Sequence, residues 1–257
     1  MCYRKLPLIC ASITIALFTS GNITSATEGS NKLIEFILTE EPSGDQGTYI
    51  ATGLQTNGLQ RGSGVNARSL TNGFSANQWT EGNDMPSHET AVENREWLGF
   101  DVTVEPDYTA SFDSVQFWLR RSARSSPMFF ELRYSFDGFA TEGTPVQRFT
   151  YRGRASGGSV ATLTDPDFYM TWDAPDSFMT PFDMPLVARG QSSSSAEKGN
   201  PIPPINLSHI RELQDIRPGT TVTFGLFAWG NLRTVPSNTV ALGRHKGPLL
   251  RGTVTRY

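Results

Sequence analysis

Three histidines, His88, His209 and His245, are the only imidazoles in the chain, and both cysteines, Cys2 and Cys10, fall within its first ten residues. No H-x-x-x-H or H-E-x-x-H spacing occurs. Zinc and copper, which favour nitrogen and sulfur donors, therefore lack an ordinary ligand set. Oxygen donors are plentiful. The stretch "LTDPDFYMTWDAPDSFMTPFD" packs Asp165, Asp167, Asp173, Asp176 and Asp183 into one short span. Hard carboxylate oxygens on a loop suit Ca²⁺, although the spacing is not that of an EF-hand. The same aspartates also serve as turn formers. Asp165, Asp167, Asp173 and Asp176 are the candidate metal ligands, and a structural Ca²⁺ is the one cofactor this composition accommodates.

Catalytic patterns are harder to find. No G-x-S-x-G elbow is present, and "RGSGV" at Arg61–Val65 lacks its frame. A glycosidase needs two carboxylates facing each other across a cleft, and 25 acidic residues supply no nominated pair. A polysaccharide lyase would place Tyr, His, Arg and Gln on one concave sheet, yet Trp118, Arg120, Arg133 and Tyr134 have no histidine in register with them. The leading expectation is a protein without catalysis of its own. A lyase or glycoside hydrolase is the alternative, and a structural envelope or matrix component a further one.

Recognition chemistry is better supplied. Trp79, Trp97, Trp118, Trp172 and Trp229 are spread along the chain, and buried indoles are their default fate. An exposed indole beside arginine or amide side chains stacks on the apolar face of a pyranose. The candidate ligand-binding set is Trp118, Arg120, Arg133 and Trp172, and the expected partner is a polysaccharide or cell-surface glycan. A net charge of −3 with charged residues at 18% leaves no basic field for nucleic acid.

Those side chains must be positioned by strands. Short apolar runs alternate with Gly, Pro, Asn and Ser clusters, which is an all-β pattern. Strands are predicted at 33–38, 97–104, 114–121, 128–135, 146–151, 168–172, 220–229 and 249–255. Eight or more strands in one unit over residues 27–257 predict two packed sheets or a closed barrel. Alternation puts Val115, Phe117 and Leu119 on one face and Trp118 and Arg120 on the other. If 114–121 and 128–135 form a hairpin, Leu119 meets Leu132, Phe117 meets Tyr134, Arg120 meets Glu131 and Trp118 meets Arg133. Arg121 then points to the apolar side and reaches a loop carboxylate or carbonyl. "SFDGF" (135–139) reads as a tight turn with Asp137 bonding backbone and Gly138 at positive φ. Residues 208–216 form the one predicted helix, and 189–206, serine- then proline-rich, read as a mobile surface insertion.

Residues 1–26 have the layout of a secretory signal peptide: Arg4 and Lys5, an apolar run from Leu6 to Phe18, then Thr24-Ser25-Ala26. The run is shorter than the ~20 residues of a membrane-spanning helix. Cleavage would remove both cysteines, so the expected mature chain is periplasmic or extracellular, free of thiols and without a transmembrane anchor.

The order "LQRGSGV", "NGFSANQWT", "LGFDVTVEPDYTASFDSVQFWLRRSARSSPMFFELRYSFDGFA" and "TFGLFAWG" resembles an exported bacterial β-sandwich module found in PEP-CTERM-tailed and autotransporter-like proteins. The resemblance implies a single exported antiparallel β-sandwich of jelly-roll type over residues 27–257, with no catalytic residues to carry over. The "S.DG" turn is similar to one in galactose-binding-like domains, at the level of fold alone. Gly225 stands where the family has arginine, Phe227 where it has tyrosine, and Ser126 where glycine precedes Pro127. The final "LLRGTVTRY" is not an apolar sorting tail.

Overall fold

A computed structural model describes residues 31–38, 47–82, 85–122, 126–151, 170–173, 181–184, 200–231, 238–243 and 245–257. The expected leader, residues 1–26, lies outside them. Among the described residues, no helix is long and apolar enough to cross a membrane.

The period-two patterning produces two packed antiparallel layers. The first is an eight-stranded sheet whose centre runs Trp97–Val104, Thr221–Trp229, Phe129–Ser135, Thr144–Tyr151. Leu54–Gln55 and Leu59–Arg61 both pair with Trp97–Val104, while Met170–Asp173 and Pro181–Met184 extend the sheet beyond Thr144–Tyr151. The second layer consists of two five-stranded sheets. One is built on Tyr108–Gln116, Leu249–Arg256 and Asn31–Glu35, the other on Trp118–Arg121, Val240–Leu242 and Phe74–Asn77. The chain passes between them at Phe117, which is fully buried.

Both layers feed one core. Phe100 and Phe224 from the first layer meet Phe36, Phe112 and Phe117 from the second, with ring centroids 5.3 to 6.4 Å apart. Such aromatic pairs each add about 0.5–1.5 kcal/mol beyond the area they bury. The expected inward set, Val115, Phe117, Leu119, Phe130, Leu132 and Tyr134, is buried throughout.

The expected pairing of 114–121 with 128–135 is overturned, although the faces are as predicted. Trp118–Arg121 pairs with Val240–Leu242 and Asn200–Pro201, so Arg120 lies opposite Ala241 and Trp118 opposite Pro201. Phe129–Ser135 pairs in the other layer, with Glu131 opposite Phe227 and Arg148, and Leu132 opposite Leu226 and Gln147. The two segments do not form a hairpin because Ser122 and Met128 are captured by different strands. Ser122 N–H donates to the Thr239 carbonyl and Met128 N–H to the Trp229 carbonyl. Pro127 has no N–H with which to extend a ladder. Arg121 behaves as predicted: it is buried, and Nη2 donates to the Ser126 carbonyl.

The predicted helix at 208–216 is corrected to a single 3-10 turn at Arg211–Leu213. Ser208 does not cap it. Its N–H and hydroxyl both donate to Asn206 Oδ1, and Ile210 and Gln214 are extended on either side. Ile216 is drawn into a bridge with Ala110 instead. Residues 200–206, the end of the predicted insertion, lie along the second layer, where Ile202 and Ile205 are buried.

One α-helix, Met85–Glu93, was not predicted. Arg95, at φ 59°, closes it: Arg95 N–H donates to the Val92 carbonyl and Glu96 N–H to that of Ala91, a Schellman ending. Ala91 and Val92 face the sheet and are buried.

Candidate groove at the Tyr134–Thr144 hairpin

Residues alternate along Phe129–Ser135, so Glu131 and Arg133 face out of the core. The Met85–Glu93 helix and the 136–143 loop cover them, and both side chains are buried. Arg133 Nη1 donates to Glu131 Oε1. Arg148 Nε donates to Glu131 Oε2 at 2.8 Å, and His88 Nε2 lies 3.1 Å from the same oxygen. Burial would raise the Glu131 pKa, but the His88 hydrogen bond and the charges of Arg148, His88 and Arg133 outweigh it and hold the carboxyl at about 2. Trp229 stands edge-on to His88, with ring centroids 4.7 Å apart.

From this ionic cluster Arg133 reaches the loop. Nε donates to the Glu142 carbonyl at 2.9 Å and Nη2 to the Gly143 carbonyl at 3.1 Å. Arg95, at the helix end, donates to the Ala140 carbonyl at 3.0 Å. Phe139 fixes the loop from within. Its ring packs on Trp97 at 5.0 Å and Phe227 at 5.2 Å, in a small satellite core with Val92. The turn itself is as predicted, with Gly138 at φ 66°, and Phe139 follows at φ 62°. Ser135 Oγ donates to Asp137 Oδ1 and accepts from the Asp137 and Phe139 amides. Thr141 donates to Asp137 Oδ2 from both N–H and hydroxyl. The hydrogen bonds from Ser135 and Thr141 hold the Asp137 carboxyl below the usual range.

Above this scaffold lies a groove of about 560 Å³, lined by Tyr134, Ser135, Phe136, Asp137 and Thr141–Thr144. That volume falls among small-ligand sites, about 300–1,000 Å³. Phe136 is 47% exposed and stands edge-on to Tyr134 with centroids 5.7 Å apart. Burial pushes the Tyr134 phenol up. The groove thus offers an exposed apolar ring, the hydroxyl-bearing side chains of Tyr134, Ser135, Thr141 and Thr144, and two carboxylates, Asp137 and Glu142, on a fixed backbone.

The sequence-predicted ligand residues are divided between the two layers. Trp118 and Arg120 share the outer face of the second layer, both half-buried, with Lys246 Nζ 5.4 Å from the Trp118 ring centroid. Arg133 belongs to the first layer, beneath the groove rather than in it. Trp172 occupies the register position opposite Phe149 and Phe182. Of the proposed metal ligands, Asp165, Asp167 and Asp176 lie outside the described residues, and Asp173 stands opposite Pro181. Among the described residues, no group of three or more His, Cys, Asp or Glu side chains converges. Sequence reasoning passed over Phe136 and Glu142. The signal available was a phenylalanine inside a polar turn, at a position that continues the inward parity of its strand but lies just past the strand's last residue.

No family model, no curated protein and no solved structure matches this chain.

Proposed function

We propose that this protein is an exported, non-catalytic β-sandwich that binds glycan in the Tyr134–Thr144 groove. One observation carries the reading: a large aromatic ring, Phe136, is held half-exposed beside fixed hydroxyl and carboxylate groups. Pyranose rings present an apolar C–H face and a rim of hydroxyls. A phenylalanine ring satisfies the first, while Asp137, Thr141, Glu142 and Thr144 accept from or donate to the second. An exposed ring this large loses apolar hydration when covered, which stabilises a bound state by about 25 cal/mol per Å² of apolar surface removed from water. Pre-ordering of the loop by Arg133, Arg95 and Phe139 lowers the entropic cost of that state. The leader-like segment at 1–26 supports an extracytoplasmic setting, where such polymers are met.

Affinity electrophoresis through gels containing neutral, basic and acidic polysaccharides tests this directly. Retardation by at least one polymer is expected, with no release of reducing ends or unsaturated products. Unretarded migration in every gel contradicts glycan binding, and product release contradicts the non-catalytic assignment.

A further inference from the structure

The charge lining the groove narrows the class of sugar, an inference that rests on the glycan reading above. Asp137 and Glu142 both line it. Glu142 is the freer of the two: its side chain is 72% exposed, and its nearest cation, Arg133 Nη2, is 3.8 Å away. That guanidinium is already committed. It donates to Glu131 through Nη1, to the Glu142 carbonyl through Nε and to the Gly143 carbonyl through Nη2. Glu131 and the two carbonyls therefore hold Arg133 below the loop, and no lysine or arginine is among the groove-lining residues. Besides burial, the charge of a third carboxylate, Glu212, also pushes the Tyr134 phenol up. An anionic sugar would meet this field unfavourably. A sugar with a free ammonium would meet Glu142 at the rim and the half-exposed ring of Phe136 within, and both contacts favour a cation.

We infer that the groove selects basic amino sugars, with Glu142 as the group that reads the ammonium, over uronic acids. The size of the preference follows from the exposure of Glu142. An exposed ion pair contributes about 0.2–1 kcal/mol, so the free amine should bind about 1.4- to fivefold tighter than its neutral counterpart. The preference should shrink as salt is added, because screening acts strongly on exposed charges.

The test titrates the full protein with three hexasaccharides: β-1,4-glucosamine, β-1,4-N-acetylglucosamine and α-1,4-galacturonate. Affinity is read by calorimetry at low and high salt, for the wild type and for Glu142→Gln. The glucosamine oligomer should bind tightest and galacturonate weakest. Glu142→Gln should abolish the preference for the free amine, lowering affinity for the glucosamine oligomer more than for the N-acetylated one. Equal affinity of the wild type for the amine and the N-acetylated form overturns the charge selection alone, as does an amine preference that survives Glu142→Gln. Tight galacturonate binding also overturns it while sparing the glycan reading. Absence of heat with all three oligomers, together with free migration in every polysaccharide gel, overturns both.

Discussion

Phe139 occupies the notch that Gly225 leaves on the outer face of the first layer: a Cβ added to Gly225 would stand 2.7 Å from Cε2 of the Phe139 ring. Gly225 lies opposite Gly99 in the adjacent strand, so a strip of the sheet carries no side chains where the ring comes down. Gly143 completes the seat, since its own Cβ would stand 2.6 Å from the same ring. Gly225→Ala should destabilise the protein by about 1–3 kcal/mol through overpacking, and Phe139→Ala by about 3–5 kcal/mol through the cavity it leaves. Urea denaturation measures both. Wild-type midpoints for either variant would mean that the ring does not hold the loop.

Glu131 should govern the acid limb of stability. Its pKa falls from an ordinary 4.5 to about 2 on folding, so the folded state favours the carboxylate. The resulting stability is complete above about pH 4.5 and is lost as pH falls through about 2. A depression of this size corresponds to on the order of 3 kcal/mol. Glu96 has the opposite sign. Burial raises its pKa against the hydrogen bonds from Thr80 and Asn94, so its contribution falls as pH rises above the ordinary value. Thermal melts across pH 2 to 7 should show a flattened acid limb in Glu131→Gln. Glu96→Gln should gain stability relative to the wild type as pH rises. An unchanged acid limb in Glu131→Gln would place the acid sensitivity elsewhere.

Arg133→Lys separates charge from geometry. Lysine keeps a cation near Glu131 but has no planar fork, and it cannot also serve the Glu142 and Gly143 carbonyls. Two hydrogen bonds at about 0.5–1.5 kcal/mol each are lost. Amide exchange at Thr141–Thr144 should accelerate more than exchange in Trp97–Val104. Uniform acceleration across both segments would show that Arg133 supports the whole sheet rather than the groove.

The faces of the strands were legible in the sequence because alternation is local: burial of Val115, Phe117, Leu119, Phe130, Leu132 and Tyr134 follows from side-chain parity alone. Partner choice was not. Glu131 and Arg120 have complementary charges, and a short connection invites a hairpin, yet a strand's neighbours are set by long-range packing. Here Glu131 finds Arg148, and Arg120 stands opposite Ala241. The Met85–Glu93 helix escaped notice for a related reason. It is short, opens with proline near its start, and is stabilised through Ala91, Val92 and His88 resting on a sheet face that only the fold creates. The "SFDGF" turn was readable as chemistry of its own atoms. That the same turn carries the candidate ring Phe136 depends on Phe139 being buried one side of the loop, which no spacing rule encodes.

The most direct measurement is calorimetric titration of the wild type and Phe136→Ala with a polysaccharide that retards the wild type, alongside thermal melts of both. Phe136 is half-exposed and stands edge-on to Tyr134, so its loss should leave the melting temperature nearly unchanged while abolishing the binding heat. Undiminished binding by Phe136→Ala would contradict the account, because the ligand would then lie elsewhere on the sandwich.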